Sequence, residues 1–212
     1  LNLDPSLLTA SRQEAVKIDG YEGTYKTLEF SANKRYSNRW GLNASFSYTW
    51  TNEAGNNYFN NRFGTAVSNF AFFGSSPSNP NEKTINDFTN WNGKLSGTVD
   101  AGWGVSITPV WKIQSGAPYG RFFNAALNYG TQIILAEPIG TRRQDTVSVV
   151  DFRAEKKLRI GDKARVAVFA DLFNVFNSNT AVNINWRSGA SFEKATTVLG
   201  PRIAKFGVKF DW

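Results

Sequence analysis

The stretch Trp40-Gly-Leu-Asn-Ala-Ser-Phe-Ser-Tyr-Thr-Trp-Thr51 alternates apolar and polar residues along its whole length. In a β-strand, this alternation places Trp40, Phe46 and Trp50 on one face and Asn43 and Ser45 on the other. The segment is about twice as long as a common globular strand, and aromatic residues stand at both ends of its apolar face. We therefore expect a tilted strand that crosses a membrane with its polar side toward water. A strand of a soluble sandwich is the alternative.

The same period of two recurs between residues 103 and 114. One face would carry Trp103, Val105, Ile107, Trp111 and Ile113, and the other would carry Gly104, Ser106, Thr108 and Lys112. Because only one assignment of the faces keeps Lys112 in water, the tryptophan face is expected to meet lipid. Pro109 is expected to mark a bulge or kink, since proline has no N–H to donate to a neighbouring strand.

Other segments complete a chain of antiparallel strands. Strands are expected at 21–36, 90–100, 147–159, 163–176 and 202–212, with a weaker one near 11–18. Tight turns are expected near 37–38, 101–102 and 161–162. The connections between these hairpins span about 39, 32 and 25 residues. Compact soluble domains rarely contain unstructured loops longer than roughly 15 residues. Short turns on one side and long loops on the other are typical of outer-membrane barrels.

The composition excludes several classes of protein. The 212 residues contain no Cys and no His, which removes the common zinc ligands and the usual base of serine or cysteine catalysis. No run of about 18 apolar residues could cross a bilayer as a helix. The net charge of +7 is scattered rather than gathered in a patch, so nucleic-acid binding is not expected. We expect neither enzyme activity nor a cofactor. Because the chain begins at Leu1 and lacks Met, we also expect a piece of a longer protein.

The chain ends in Lys205-Phe-Gly-Val-Lys-Phe-Asp-Trp212. This string resembles the terminal signal that the outer-membrane barrel assembly machinery reads: a polar residue, a glycine two positions later, and apolar residues at the third-last and last positions. In this chain those residues are Lys205, Gly207, Phe210 and Trp212. An exposed terminal strand of this kind can pair edge to edge with another strand. The alternative is an ordinary amphipathic last strand.

Several blocks resemble TonB-dependent outer-membrane receptors of the Oar-like type, which carry a carboxypeptidase-regulatory-like N-terminal domain. The blocks are Tyr25-Lys-Thr-Leu-Glu-Phe, Lys34-Arg-Tyr-Ser-Asn-Arg-Trp40, Gln114-Ser-Gly-Ala-Pro-Tyr119, Asp151-Phe-Arg-Ala-Glu-Lys156, Ala170-Asp-Leu-Phe-Asn-Val-Phe-Asn177 and Gly200-Pro-Arg-Ile203. The resemblance implies a barrel of about 22 strands around a plug, of which this chain would supply the last seven or eight.

The resemblance also implies the partners and the function. The expected partners are the rest of the same barrel and its plug, TonB through an N-terminal part outside this chain, the barrel assembly machinery, and outer-membrane lipid and lipopolysaccharide. The expected function is TonB-coupled uptake of an extracellular ligand. The alternatives are a surface barrel that binds a partner protein without transport, a membrane enzyme with residues supplied by upstream strands, and a self-contained eight-stranded barrel.

Candidate ligand contacts lie in the long loops. The segment 51–90 mixes asparagines with Tyr58, Phe59, Phe63, Phe72 and Phe73. Aromatic faces and amide groups together suit a sugar or a peptide, although a loop that packs on itself explains the same residues. Arg142 and Arg143 could attract an anionic ligand or a lipopolysaccharide phosphate; the alternative is that they anchor a strand end.

Overall fold

The computed structural model describes residues 24–54, 85–128, 130–137, 139–161 and 164–211, and their regular structure is all β. Seven strands form one antiparallel sheet, and each pairs with its neighbours in chain order. These strands are β1 (Thr24–Ser37), β2 (Trp40–Ala54), β3 (Ile85–Gly102), β4 (Val105–Gln114), β9 (Val147–Ile160), β10 (Ala164–Phe173) and β13 (Ile203–Asp211). The all-β, antiparallel prediction is confirmed. No pairing among the described residues joins β1 to β13, so the sheet is open.

The sheet has one apolar and one polar face, because the strand registers line up across all seven strands. Phe46, for example, lies opposite Phe30 on β1 and Gly93 on β3, and Gly93 lies opposite Ile113 on β4. The apolar face carries Leu28, Phe30, Leu42, Phe46, Tyr48, Leu95, Ile107, Trp111, Val150, Phe152, Leu158, Val166, Val168, Leu172, Phe206, Val208 and Phe210. The expected split of the faces is thus confirmed for the residues within strands; Trp103 and Gly104 lie in a turn instead.

Hydrogen bonds and ion pairs run across the polar face. Arg153 donates two hydrogen bonds to the carboxylate of Asp171 on the next strand, at 2.5 and 2.8 Å. Lys112 on β4 pairs with Asp151 on β9 at 3.3 Å. Asn92 donates to the hydroxyl of Ser47 at 2.7 Å. These bonds join neighbouring strands by side chains as well as by backbone, and Asp171 lies on the polar face as the sequence predicted.

Gly207 lies on the same polar face, under an aromatic ring. A Cβ at this position would lie 2.3 Å from the ring of Phe169, its partner on β10. The guanidinium of Arg153, which donates to Asp171, lies 4.5 Å from the centroid of that ring. The ring therefore takes the space that a side chain at 207 would need, and it covers the glycine backbone.

The short turns lie at one edge of the sheet. Asn38 and Arg39 form the first, with φ of 52° and 71°. The second is Trp103-Gly104, with φ of 51° and 74°, so the turn predicted at 101–102 is two residues too early. Trp103 is not in the strand as predicted, because it is the first residue of a two-residue turn of the kind that has a positive φ at both positions. Gly161 opens the third turn, as the sequence predicted.

Other boundaries also differ from the sequence prediction. The strand predicted at 90–100 extends to Ile85–Gly102. The strand predicted at 163–176 ends at Phe173, because Asn174 leaves the strand with φ of 51° and bonds the carbonyl groups of Ser178 and Gly200. The register does not shift at Pro109, so the predicted bulge is wrong, while the alternative of a local kink stays a prediction. The β3–β4 ladder omits the two pairs at Thr108 and Pro109. The weak strand near 11–18 lies outside the described residues.

The long connections contain short strands of their own. They are β5 (Pro118–Tyr119), β6 (Phe122–Leu127), β7 (Gly130–Leu135) and β8 (Arg142–Arg143) in one connection, and β11 (Ala181–Ile184) and β12 (Ala195–Val198) in the next. They pair as β5-β8, β6-β7 and β11-β12. We call these six strands and their connecting residues the loop platform.

The apolar core lies in and beside the loop platform, not under the seven-stranded sheet. Within the described ranges the buried apolar cluster consists of Phe88, Tyr119, Ile139 and Trp186. The sheet, in contrast, leaves large apolar side chains open: Phe30 is 58% exposed and Phe206 is 78% exposed. No helix of the described residues is long and apolar enough to cross a membrane.

The packing of Phe169 on Gly207 generates a first prediction. Gly207→Ala should lower the free energy of unfolding by about 1–3 kcal/mol, since the new methyl group must displace a ring that Arg153 also contacts. Gly200→Ala is the matched control, because nothing lies within 4 Å of a Cβ there. Urea unfolding of the two variants and of the native protein measures both effects. Equal stability of the two variants would show that Phe169 moves aside at no cost.

Candidate functional site

The loop platform joins two long connections at the edge opposite the short turns. The backbone N–H of Phe122 donates to the carbonyl of Trp186 at 3.1 Å, and the N–H of Ser188 donates back to the carbonyl of Phe122 at 2.6 Å. The described residues of the segments 115–146 and 174–202 are therefore one packed unit rather than two separate loops. An ordered surface of this kind can present side chains in a fixed arrangement.

Close packing explains a glycine in the block 114–119. A Cβ at Gly116 would lie 1.8 Å from the carbonyl oxygen of Gln144, so only glycine allows these two backbones to approach. The next residues place Tyr119 in the core, where its ring stacks on that of Trp186 with 5.4 Å between centroids. The sequence signalled a turn here, and the structure shows that the turn also supplies a core residue.

A charged network lies beside this core. Arg142 donates to both carboxylate oxygens of Glu137, at 2.7 and 3.2 Å, and to Glu193 at 2.9 Å. The hydroxyl of Tyr119 donates to the same Glu193 at 2.7 Å. Arg121 lies 3.6 Å from Glu137. The network therefore connects β5, β8 and the segment that precedes β12, and it holds the platform in one arrangement.

The network shifts the pKa values of three of its members, and raises that of Arg142 through its hydrogen bond with Glu137. The hydrogen bonds from Arg142 lower the pKa of Glu137, with burial acting in the opposite sense. Burial raises the pKa of Tyr119 to about 12, and its hydrogen bond to Glu193 adds to the effect. Glu137 is thus held as the anion and Tyr119 as the neutral donor at neutral pH, which are the forms that the bonds of the network require.

Arg143 connects the platform to the end of β3. It donates to the carbonyl of Gly116 at 2.8 Å and to the carbonyl of Thr89, and its contact with the side-chain oxygen of Asn90 is longer, at 3.4 Å. Arg142 and Arg143 thus both have internal partners, which favours the anchoring alternative of the sequence analysis. Their role in binding an external anion stays a prediction.

A cleft of about 310 Å³ lies where the platform meets β3 and β4. It is lined by Asn90, Trp91, Asn92, Gln114, Ser115, Gly116, Ala117, Pro118, Gln144, Asp145, Val147 and Val182. Amide groups and one carboxylate dominate its polar atoms, so it can exchange hydrogen bonds with an uncharged polar ligand. No group of three potential metal ligands occurs among the described residues.

The other predicted site residues are distributed as follows. Tyr58, Phe59, Phe63, Phe72, Phe73 and Trp212 lie outside the described residues. Lys205 and Gly207 lie on the polar face of β13, opposite Asp171 and Phe169, and Phe210 lies on the apolar face. The proposed assembly signal therefore presents residues to both faces, and its role in assembly stays a prediction.

Sequence reasoning missed Tyr119, Glu137, Trp186 and Glu193. The one available signal was the scarcity of acids: Glu193 is the only carboxylate between residues 174 and 202. A lone acid in a long connection has to find its partner elsewhere in the fold, and the sequence does not show where.

The charged network generates a second prediction. Because the pKa of Glu137 is lowered in the folded protein, its contribution to stability is present above its unfolded value of 4.5 and is lost as the pH falls through the lower folded value. Glu137→Gln should lower the stability of the platform at neutral pH by about 1 kcal/mol and remove this dependence of stability on acid pH.

The control is Asp145→Asn, which changes an exposed carboxyl in the same connection. Hydrogen exchange of amides in β5 and β8 against pH measures the effect, and identical pH profiles for native protein and Glu137→Gln would contradict it.

Comparison of the chain with protein-family models, with curated proteins and with solved structures finds no match. The function is therefore inferred from the geometry of the sheet and the platform, together with the sequence blocks described above.

Proposed function

We propose that this chain forms part of the transmembrane barrel of a TonB-dependent outer-membrane receptor, which binds an extracellular ligand and takes it up with TonB-coupled energy. In this proposal the apolar face of the sheet meets lipid and the polar face meets the lumen. The short turns lie on the periplasmic side, and the loop platform lies on the extracellular side.

The position of charge on the apolar face carries the proposal. Among the described residues of this face, the charged side chains are Lys26 and Asp87 near the long connections and Lys34 and Lys156 toward the short turns. The residues between these two borders are uncharged, and many of them are large and apolar. A surface with an uncharged centre and charged borders matches the hydrocarbon region of a bilayer and its two interfaces.

The polar face supports the same assignment. It carries the Arg153–Asp171 and Lys112–Asp151 ion pairs, with distances of 2.5 and 3.3 Å. Charged residues that face the interior of a membrane barrel can pair with each other in a water-filled lumen. The open edges at β1 and β13 leave backbone groups for further strands, as a larger barrel requires.

The blocks that resemble Oar-like receptors supply much of the polar framework. The block that begins at Asp151 contributes both Asp151 and Arg153, and the block that begins at Ala170 contributes Asp171 and Asn174. The block 114–119 lines the cleft and places Tyr119 in the platform core. A cleft at the extracellular end of the lumen is a suitable position for ligand capture.

The assignment of the faces generates a third prediction. Phe46→Lys should lower stability in the membrane by about 2–4 kcal/mol if residue 46 lies near the midplane, whereas Ser45→Lys should be tolerated because it extends into the lumen. Heat-dependent gel mobility after folding into lipid vesicles measures the inserted fraction. Equal tolerance of the two lysines would remove the basis for calling the apolar face lipid-facing.

The receptor role generates a fourth prediction, which separates transport from adhesion. The full-length protein, solubilised from outer membranes, should bind the purified periplasmic domain of TonB through a segment that precedes this chain. Deletion of that segment should abolish binding and leave membrane abundance unchanged. A full-length barrel that inserts normally but shows no interaction with TonB would favour the adhesive alternative.

A further inference from the structure

Two lysine–tryptophan pairs occur on the short-turn side of the apolar face. The ammonium of Lys34 lies 3.8 Å from the centroid of the Trp40 ring and donates to the carbonyl oxygen of Trp40 at 2.9 Å. The ammonium of Lys156 donates to the carbonyl oxygen of Trp103 in the next short turn along the sheet. Both lysines belong to the apolar face by register, Lys34 opposite Leu42 and Lys156 opposite Val105.

These two ammonium groups are fixed in position but are not neutralised. Lys34 has further acceptors in the carbonyl and hydroxyl oxygens of Ser37, at 3.0 and 3.1 Å, and these groups are uncharged. Neither lysine forms an ion pair with a carboxylate of the described residues. On the polar face, Lys112, Lys157 and Lys209 each have a carboxylate within 3.4 Å, whereas Lys94 and Lys205 form no ion pair within the described ranges. The neutral acceptors orient the two charges and leave them available to an anion from outside the described residues.

The tryptophan of the second pair, Trp103, lies at an unusual backbone position and is almost fully exposed. It lies at the first position of a two-residue turn with φ of 51°, where asparagine or glycine is favoured, and its side chain is 92% exposed. No packing within the described residues accounts for an indole at this position. The boundary between lipid headgroups and acyl chains is the environment that indole rings prefer.

We propose that the short-turn edge binds anionic phospholipid, with one headgroup phosphate at each lysine–tryptophan pair. The phosphate would lie near the ammonium group, the glycerol region would contact the indole, and the acyl chains would continue along the apolar face. The inference rests on the proposed function, because it requires that face to meet a bilayer. A soluble anion would satisfy the charge but would leave the adjoining apolar surface uncovered.

The opposite border of the same face differs in its contacts: Lys26 also lies opposite a tryptophan, Trp50, but among the described residues its ammonium neither contacts that ring nor donates to a backbone carbonyl as Lys34 and Lys156 do. There Lys26 and Asp87 lie on the paired strands β1 to β3 and carry opposite charges, so the border has little net attraction for anions. The preference for anionic lipid should thus be confined to the leaflet at the short turns. Lys26 provides a matched control, since it is a lysine of the same face at the other border.

The test uses the full-length receptor in vesicles of phosphatidylcholine mixed with phosphatidylglycerol, with bromine on the acyl chains of either lipid as a quencher of tryptophan fluorescence. In the native protein, brominated phosphatidylglycerol should quench more than brominated phosphatidylcholine at the same fraction. The expected preference is about fivefold for each pair, which corresponds to the roughly 1 kcal/mol that a lysine contributes at an anionic surface. The double variant Lys34→Gln with Lys156→Gln should lose the preference, and Lys26→Gln should keep it.

The outcomes separate the inference from the function on which it rests. Heat-dependent gel mobility reports insertion independently, so a native protein that fails to insert overturns both. Normal insertion with equal quenching by the two lipids overturns the lipid inference alone, as does a double variant that keeps the preference. Competition by glycerol phosphate in solution would show a soluble-anion site and would also overturn it. If the double variant inserts poorly, Lys156→Gln alone should halve the effect, and Lys34→Arg with Lys156→Arg should retain it.

Discussion

The pleat of a β-strand is the constraint on which the rest of this structure depends, because it sends successive side chains to opposite faces. A slip of one residue between two strands would move charged side chains such as Lys112 and Asp171 onto the apolar face. The registers avoid this across all seven strands. The two irregularities, between Lys34 and Ser37 and between Asp100 and Gly102, lie next to short turns, where the ladder is about to end.

Whether the sequence could predict a feature depends on how far apart along the chain the interacting residues lie. The period of two is local, so the strands around Trp40–Thr51 and Asp171 and the face of each residue were predictable. The exit of Trp103 from its strand was not, because an aromatic residue in phase with its neighbours gives no sign of a positive φ. The platform depends on contacts between distant residues, such as Tyr119 with Glu193, which no local pattern encodes.

The sheet and the loop platform differ in where they place their large apolar side chains. The sheet leaves its large apolar side chains open and places its ion pairs on the polar face. The platform buries Tyr119 and Trp186 and surrounds them with Glu137, Arg142 and Glu193, as a small soluble domain would. Arg143 connects the two parts, because its guanidinium donates both to the carbonyl of Gly116 in the platform and to the carbonyl of Thr89 in β3.

The order of the strands in the sheet has an evolutionary consequence. Each strand of the sheet pairs only with its neighbours in the series β1-β2-β3-β4-β9-β10-β13, so every short turn with its two strands is a separate hairpin. Duplication or loss of one hairpin in a gene would join the adjacent strands without disturbing other pairings. A lineage could in this way change the circumference of such a sheet in steps of two strands, while the long connections diverge independently.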